Sequence, residues 1–206
     1  MAVMAEHKLT YGLFVVTVNC DGKDNGCITN TVGQVTTSPN CISLTVNKNN
    51  LTCEMISKSK KFTASIIDQS ADFELFRRFG FQSGRDTDKF SGFYDYKRAD
   101  NGCCYITKGT NAYISAYVLQ EIDLGTHIMF IAAVTYSKVL ADTRSADYTY
   151  YHENIKPKPE AVRKTEDGKT VWRCKICGYE YVGEEMPDDY ICPICKHPKE
   201  DFEKII

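Results

Sequence analysis

Four cysteines near the end of the chain carry the clearest chemistry. Cys174 and Cys177 form one Cys-x-x-Cys pair and Cys192 and Cys195 a second, with 14 residues between the pairs. Each pair presents two thiolates to one side of an ion, and two pairs complete a tetrahedron. Thiolate is a soft ligand, so the spacing predicts a site for zinc or iron and leaves both open. Four unrelated buried thiols are the competing reading, and the paired spacing argues against it.

The first 150 residues carry subtler signals. There is no GxGxxG, no GxxxxGK[ST], no HExxH and no GxSxG. A dinucleotide fingerprint, a P-loop, a zincin helix and a nucleophile elbow are therefore all absent. What stands out is a polar segment from Gly26 to Pro39, packed with small hydrogen-bonding side chains, directly before a strand. That strand ends in Asn47-Lys48-Asn49-Asn50-Leu51-Thr52, where a helix is expected to begin. A lysine beside a helix N-terminus is a reasonable anion site. Phe79 to Arg85, Asp88-Lys89-Phe90 and Gly125-Thr126-His127 follow. Each has a plain alternative: a surface loop, a helix cap, solvated lysines at Lys48 and Lys89, a barrel histidine at His127.

The elements that position these residues can be read coarsely. Tyr11–Val18 is rich in β-branched and aromatic residues, and Cys41–Asn47 alternates apolar with polar; both predict strands. Between them, Asn19 to Gly26 is a cluster of turn residues. Phe62–Ile67, Tyr113–Leu119 and Thr126–Leu140 predict further strands. Asn50–Lys60 and Ser70–Gly80 predict helices, the second with Ser70 as its cap and Gly80 at its end. No alternating βαβ pattern appears, so a closed antiparallel barrel with a few helices is expected.

The 206 residues are 43% hydrophobic, enough for a sizeable core. The net charge of -2 argues against a nucleic-acid partner. No apolar run is long enough for a membrane span, and the first residues lack a secretory pattern, so a cytoplasmic protein is expected. Ten cysteines in such a chain suggest ligands and free thiols rather than disulfides. Cys20, Cys27, Cys41, Cys53, Cys103 and Cys104 are read as small buried hydrophobes. From about Glu153 the composition turns charged and proline-containing. The expected division is residues 1–153, a linker over 154–169, and a small unit over 170–206 that needs a metal as its staple.

The small unit resembles rubredoxin. The residues carrying the resemblance are Cys-Lys-Ile-Cys-Gly-Tyr, Met-Pro-Asp-Asp-Tyr-Ile-Cys-Pro-Ile-Cys and a closing Asp-Phe. It implies one iron ion (Fe3+/Fe2+) held by Cys174, Cys177, Cys192 and Cys195, over an aromatic core of Trp172, Tyr179, Tyr190 and Phe202. The stretch between the pairs is shorter than in ordinary rubredoxins, as in rubredoxin-like domains attached to other redox proteins, and a zinc ribbon is the alternative. Residues 8–152 resemble the flavin reductase family of FMN-binding split barrels. This rests on Tyr11-Gly12, Thr29-Asn30-Thr31, Thr37-Ser38-Pro39, Asn47-Lys48, Phe79-Gly80, Lys89-Phe90, Gly125-Thr126-His127 and Asp147 to His152 in this order. The two halves together resemble the high-molecular-weight rubredoxins of anaerobic bacteria.

The resemblance implies a mainly β chain: an antiparallel split β-barrel plus a small rubredoxin-like domain. It implies non-covalent FMN in a homodimer whose interface helps form the site. Cys27, Thr29, Asn30, Thr31 and Gln34 would lie along the flavin segment. Asn47, Lys48, Asn50 and Thr52 would hold the ribityl phosphate, joined by Ser83 and Lys89, with His127 near the flavin or nicotinamide. NADH or NADPH would pass a hydride to FMN, and single electrons would go to the iron and on to an external acceptor, a flavodiiron protein by resemblance. A linker of about 15 residues spans about 22 Å as a coil, enough for a tethered carrier. The alternatives are a flavin or ferric reductase that releases its reduced product, and a binding module with a structural zinc ribbon.

Overall fold

The apolar run near the start of the chain forms a strand with both faces covered. In β1 (Phe14–Cys20), Phe14, Val16 and Val18 join one core, while Val15 and the preceding Leu13 join a second. Burial on both sides explains why its sequence does not alternate in polarity. The structure is a computed structural model that describes residues 9–157, 170–175, 178–193 and 198–205. The chain divides between Ile155 and Lys156 into two compact units.

In the first unit, seven strands form one antiparallel sheet. These are β1, β2 (Lys23–Thr29), β3 (Val32–Thr37), β4 (Asn40–Asn47), β5 (Lys61–Ile67), β8 (Thr110–Asp123) and β9 (His127–Val139), in the order β2-β1-β5-β8-β9-β4-β3. The two edges, β2 and β3, are consecutive in the chain and only Asn30 and Thr31 separate them. The sheet must therefore curl until its edges meet. No ladder joins β2 to β3 among the described residues. The barrel is split along that seam, not closed by pairing as the strand pattern alone suggested.

Other expectations are corrected in detail. Only Asp21 and Gly22, at φ 52° and 81°, turn within the Asn19–Gly26 cluster; Asn19 and Cys20 end β1, and Lys23–Gly26 begin β2. Aspartate followed by glycine suits the two-residue hairpin turn, which needs positive φ at both positions. Much of Gly26–Pro39 is likewise strand rather than loop. Helix α1 (Leu51–Ser59) starts at Asn50 as expected. Helix α2 (Phe73–Gly80) is capped by Asp72, whose carboxylate accepts the Leu75 N–H at 3.2 Å. Ser70 instead donates to Asp68. A small hairpin of β6 (Tyr96–Arg98) and β7 (Cys104–Ile106) was not foreseen.

Helix α1 packs on β1 and β2, and α2 packs on β2. Near its end the unit's chain returns to its start: Gly12 bridges Asp147 and the Tyr148 N–H bonds the Tyr11 carbonyl at 2.9 Å. Helix α3 (Tyr148–Tyr150) continues as a π turn, Tyr151–Ile155, and Ile155 packs against the second core. Ordered packing thus runs into the stretch expected as linker, of which residues 158–169 lie outside the described residues.

The second unit holds a three-stranded antiparallel sheet, β10 (Val171–Cys174), β11 (Glu180–Val182) and β12 (Phe202–Lys204), ordered β11-β10-β12. No helix among the described residues is long and apolar enough to cross a membrane.

Candidate cofactor site and cysteine unit

The seam-crossing link carries an ordered hydroxyl chain. The Thr31 N–H donates to Thr29 Oγ1 at 3.2 Å, and the Thr31 hydroxyl donates to the Thr45 carbonyl at 2.5 Å. The contact between the two hydroxyls, 2.5 Å, then runs from Thr29 as donor to Thr31 as acceptor. The link is thereby pinned to β4, while the half-buried Asn30 between them makes no side-chain hydrogen bond among the described residues.

Two residues further along β4, on the same face as Thr45, stands Asn47. Its register partner on β9 is His127. The Asn47 side-chain oxygen accepts the Asn49 N–H at 2.9 Å and its carbonyl accepts the Asn50 N–H at 3.0 Å, which turns the chain into α1. Lys48 donates its N–H to the Thr126 carbonyl at 3.0 Å and pairs with Asp123 at 2.6 Å. That lysine holds the Asp123 carboxyl below its ordinary value. His127 Nδ1 shares a 2.8 Å hydrogen bond with the Thr126 hydroxyl. Asn50 is exposed at the N-cap of α1 and its side chain caps nothing. The fold therefore brings Thr29, Asn30, Thr31, Asn47, Lys48, Asn50 and His127 to one end of the sheet.

Other expected residues are placed elsewhere. Thr52 is 1% exposed, and its hydroxyl accepts from the buried Asn25 amide at 3.1 Å. Lys89 is 4% exposed, with Nζ on the carbonyls of Gly26 (2.8 Å) and Phe79 (3.1 Å). Burial pushes its pKa down. Both were expected on a phosphate; both are interior groups satisfied by protein. The reason is that α1 and the 79–90 segment pack against β2 and turn these side chains inward. Cys27 is buried in the first core, and burial raises its thiol pKa. Gln34 stands opposite Ile42, on the inward face of the sheet rather than beside Thr45 and Asn47. It lines a largely apolar cleft of about 320 Å³ with Phe14, Val32, Ile42 and Ile114.

Ser83 is exposed, and its hydroxyl accepts the Arg85 N–H at 3.1 Å. Arg85 in turn reaches Glu54 in the first turn of α1 at 3.0 Å. Ser83 and Arg85 thus sit at the N-terminus of that helix. Arg85 was not among the expected site residues, although a cation directly after Ser83-Gly84 was the available signal.

In the second unit, Cys174 and Cys192 are 1% and 0% exposed. Cys177 and Cys195 lie outside the described residues. Gly178 takes φ 77° and its N–H bonds the Cys174 carbonyl at 2.9 Å, a tight turn that suits a chelate loop. Tyr190 packs edge-on against Phe202 at 5.5 Å and meets the Tyr179 hydroxyl at 3.5 Å. Apart from the cysteines, only Val171, Met186 and Phe202 are buried apolar residues among those described here. So small a core fits a unit stapled by a metal on its thiolates.

Comparison with known proteins agrees with this division. Residues 6–158 match the model of the flavin reductase like domain, and residues 172–203 that of the rubrerythrin, rubredoxin-like domain. Over 230 aligned residues, covering all of both chains, the protein is 36% identical to the high molecular weight rubredoxin of Moorella thermoacetica. It is 36% identical over 152 residues to the ferric-chelate reductase (NAD(P)H) of Archaeoglobus fulgidus, covering 74% of this chain and 89% of that one. The Streptomyces globisporus NADH:FAD oxidoreductase SgcE6 shares the fold, with a TM-score of 0.61 and 19% identity over 68% of this chain and 81% of that one.

Proposed function

The chain belongs to the flavin reductase-like family and carries a rubredoxin-like domain after it; from that premise we propose a soluble electron-transfer flavoprotein. The family assigns it to the NAD(P)H-dependent oxidoreductases. Our reading adds that the flavin is FMN and that Cys174, Cys177, Cys192 and Cys195 hold one iron. It also adds that the reducing equivalents leave through that iron to an external acceptor. We take a flavodiiron protein as the acceptor, a cytoplasmic homodimer as the working form, and residues 154–169 as the tether between a barrel ending near 153 and a carrier beginning near 170.

The observation that carries this reading is the gathering of Thr29–Thr31, Asn47–Lys48 and His127 at one end of the barrel. When bound, FMN joins a two-electron donor to a one-electron carrier. The protein's own part is binding and orientation. Asn30, with no side-chain hydrogen bond among the described residues, offers its carboxamide to the polar edge of the ring, on a link whose Thr31 hydroxyl is tied to the Thr45 carbonyl. Lys48, Asn50, Ser83 and Arg85 offer cationic and polar groups around the start of α1 for the phosphate. His127, whose Nε2 makes no hydrogen bond among the described residues, offers that nitrogen to the donor. Thr52, Lys89 and Cys27 lie in the interior, and Gln34 lines the cleft.

The test is an anaerobic visible spectrum of the full-length protein before and after NADH, with metal analysis and chromatography of the released flavin. Bleaching of both flavin and ferric-thiolate bands, with about one iron per chain, is expected. A flavin band that bleaches beside an unchanged ferric band would remove the tail from the electron path. Zinc in place of iron would end the export reading. The similarity to a ferric-chelate reductase over the barrel alone favours one second reading, a reductase that releases its reduced product. Loss of the flavin on gel filtration would favour it.

A further inference from the structure

The buried ammonium of Lys89 is a charged group that binding and electron transfer leave without a task. It is shielded from solvent: the residue is 4% exposed, and the ring of the next residue, Phe90, packs on that of Phe79 at 5.5 Å. Its two acceptors belong to different elements. The Gly26 carbonyl lies in β2, an edge strand with a partner on one side only. The Phe79 carbonyl lies in the last turn of α2, where helix carbonyls have no partner within the helix. One ammonium therefore joins the free side of a strand to the open end of a helix. Its own backbone is held in turn, because Arg78 donates to the carbonyls of Lys89 (3.1 Å) and Ser91 (3.2 Å). Packing at Gly26 is tight as well: a Cβ there would lie 2.9 Å from the Val16 carbonyl and 3.2 Å from the Phe79 ring.

Three residues beyond Gly26, β2 ends at Thr29 and the hydroxyl chain across the seam begins. We propose that Lys89 is a positioning residue, which fixes the end of β2 and through it the Thr29-Asn30-Thr31 link, and which touches neither the phosphate nor the ring of the cofactor. This rests on the reading that the link faces a flavin. A direct phosphate contact and a positioning role differ in what they do to a flavin lacking the phosphate, so riboflavin separates them.

The experiment titrates flavin-stripped full-length protein with FMN and with riboflavin, following flavin fluorescence, for wild type, Lys89→Met, Lys89→Arg and Arg78→Gln. Thermal melts report whether each variant folds. Lys89→Met is expected to weaken both flavins by the same factor, tenfold or more, so that the ratio of the two affinities stays at the wild-type value. Lys89→Arg keeps the cation and restores part of the loss. Arg78→Gln, which removes the backbone hold from a half-exposed position, gives a smaller equal loss and covers the case in which Lys89→Met does not fold. Loss of FMN affinity with riboflavin binding unchanged would overturn the proposal, as would a folded Lys89→Met with wild-type affinity for both. Amide exchange supplies a flavin-free readout. The Thr31 N–H, held by Thr29 Oγ1, should exchange at least tenfold faster in Lys89→Met or Arg78→Gln, and an unchanged rate would overturn the proposal. If wild type binds neither flavin, the cofactor reading falls and the exchange rate alone decides the role of Lys89.

Discussion

Thr52 gives the sharpest separation between a core role and a cofactor role. It was expected on the phosphate, and it is buried with its hydroxyl on the Asn25 amide at 3.1 Å, both residues being 2% exposed or less. Thr52→Val keeps the shape and removes the acceptor. The Asn25 N–H is then left in the interior without it, which costs about 1–3 kcal/mol. For a chain of this size each kcal/mol lowers the midpoint of thermal unfolding by about 2–4 °C, so a fall of about 2–12 °C is expected. Thr52→Ser keeps the acceptor and loses one methyl group, a cost of about 1 kcal/mol. The assay pairs a circular-dichroism melt of the flavin-free protein with an FMN titration. The expected result is a clear drop in midpoint for Thr52→Val, a smaller one for Thr52→Ser, and FMN affinity in the folded protein within about threefold of wild type, under 0.7 kcal/mol. An unchanged midpoint together with a tenfold or greater loss of FMN affinity would refute the reasoning and return Thr52 to the cofactor.

Other expectations follow from the same geometry. Lys48→Met removes a surface pair with Asp123 that is worth under about 1 kcal/mol, so the melt should barely move; FMN affinity should fall about tenfold while riboflavin affinity holds, as read by titration. Gly84→Ala places a Cβ 2.3 Å from the Asn25 side-chain oxygen, and overpacking of that kind should destabilise by about 1–3 kcal/mol in chemical denaturation. Burial lifts the Cys53 thiol from its ordinary 9.0 to about 11. The unfolded chain releases that proton first, so stability should fall as pH rises from about 9 to 11, and Cys53→Ala should flatten that slope in denaturation midpoints measured across the range.

Much of the barrel was legible because its strands have one chemistry per face. β4 reads as alternating residues, and Ile42, Leu44 and Val46 are buried as that pattern predicts, with Cys41 at the strand's start buried as well. β2 was not legible, because Lys23, Asp24, Asn25 and Gly26 are turn residues by type. They form a strand since Asn25 finds Thr52, Asp24 finds Asn19 at 2.8 Å, and Gly26 alone fits between Val16 and Phe79. The hairpin of β6 and β7 is too short for a pattern to emerge.

The candidate site divides the same way. Thr29–Thr31, Asn47, Lys48 and His127 were marked by order and type, and the sheet register brings them together. Lys89 and Thr52 look like polar site residues in sequence. Their burial is decided by partners far along the chain, 63 residues away for Lys89 and Gly26, 27 for Thr52 and Asn25. Residue type reports what a side chain can bond; only packing decides which acceptor it meets.

The return of the barrel's chain to its own start has a consequence for how such proteins can be rewired. Gly12 lies against Asp147, and Tyr11 against Tyr148. The chain therefore enters the sheet at Tyr11–Gly12 and leaves it at Asp147–Tyr148 in one place, so a module joined on either side of the sheet would start close to the same spot. Gene order is then a weak constraint, and a short bridge between the ends would allow a circular permutant with new termini at the exposed Gly125 tip of the β8–β9 hairpin.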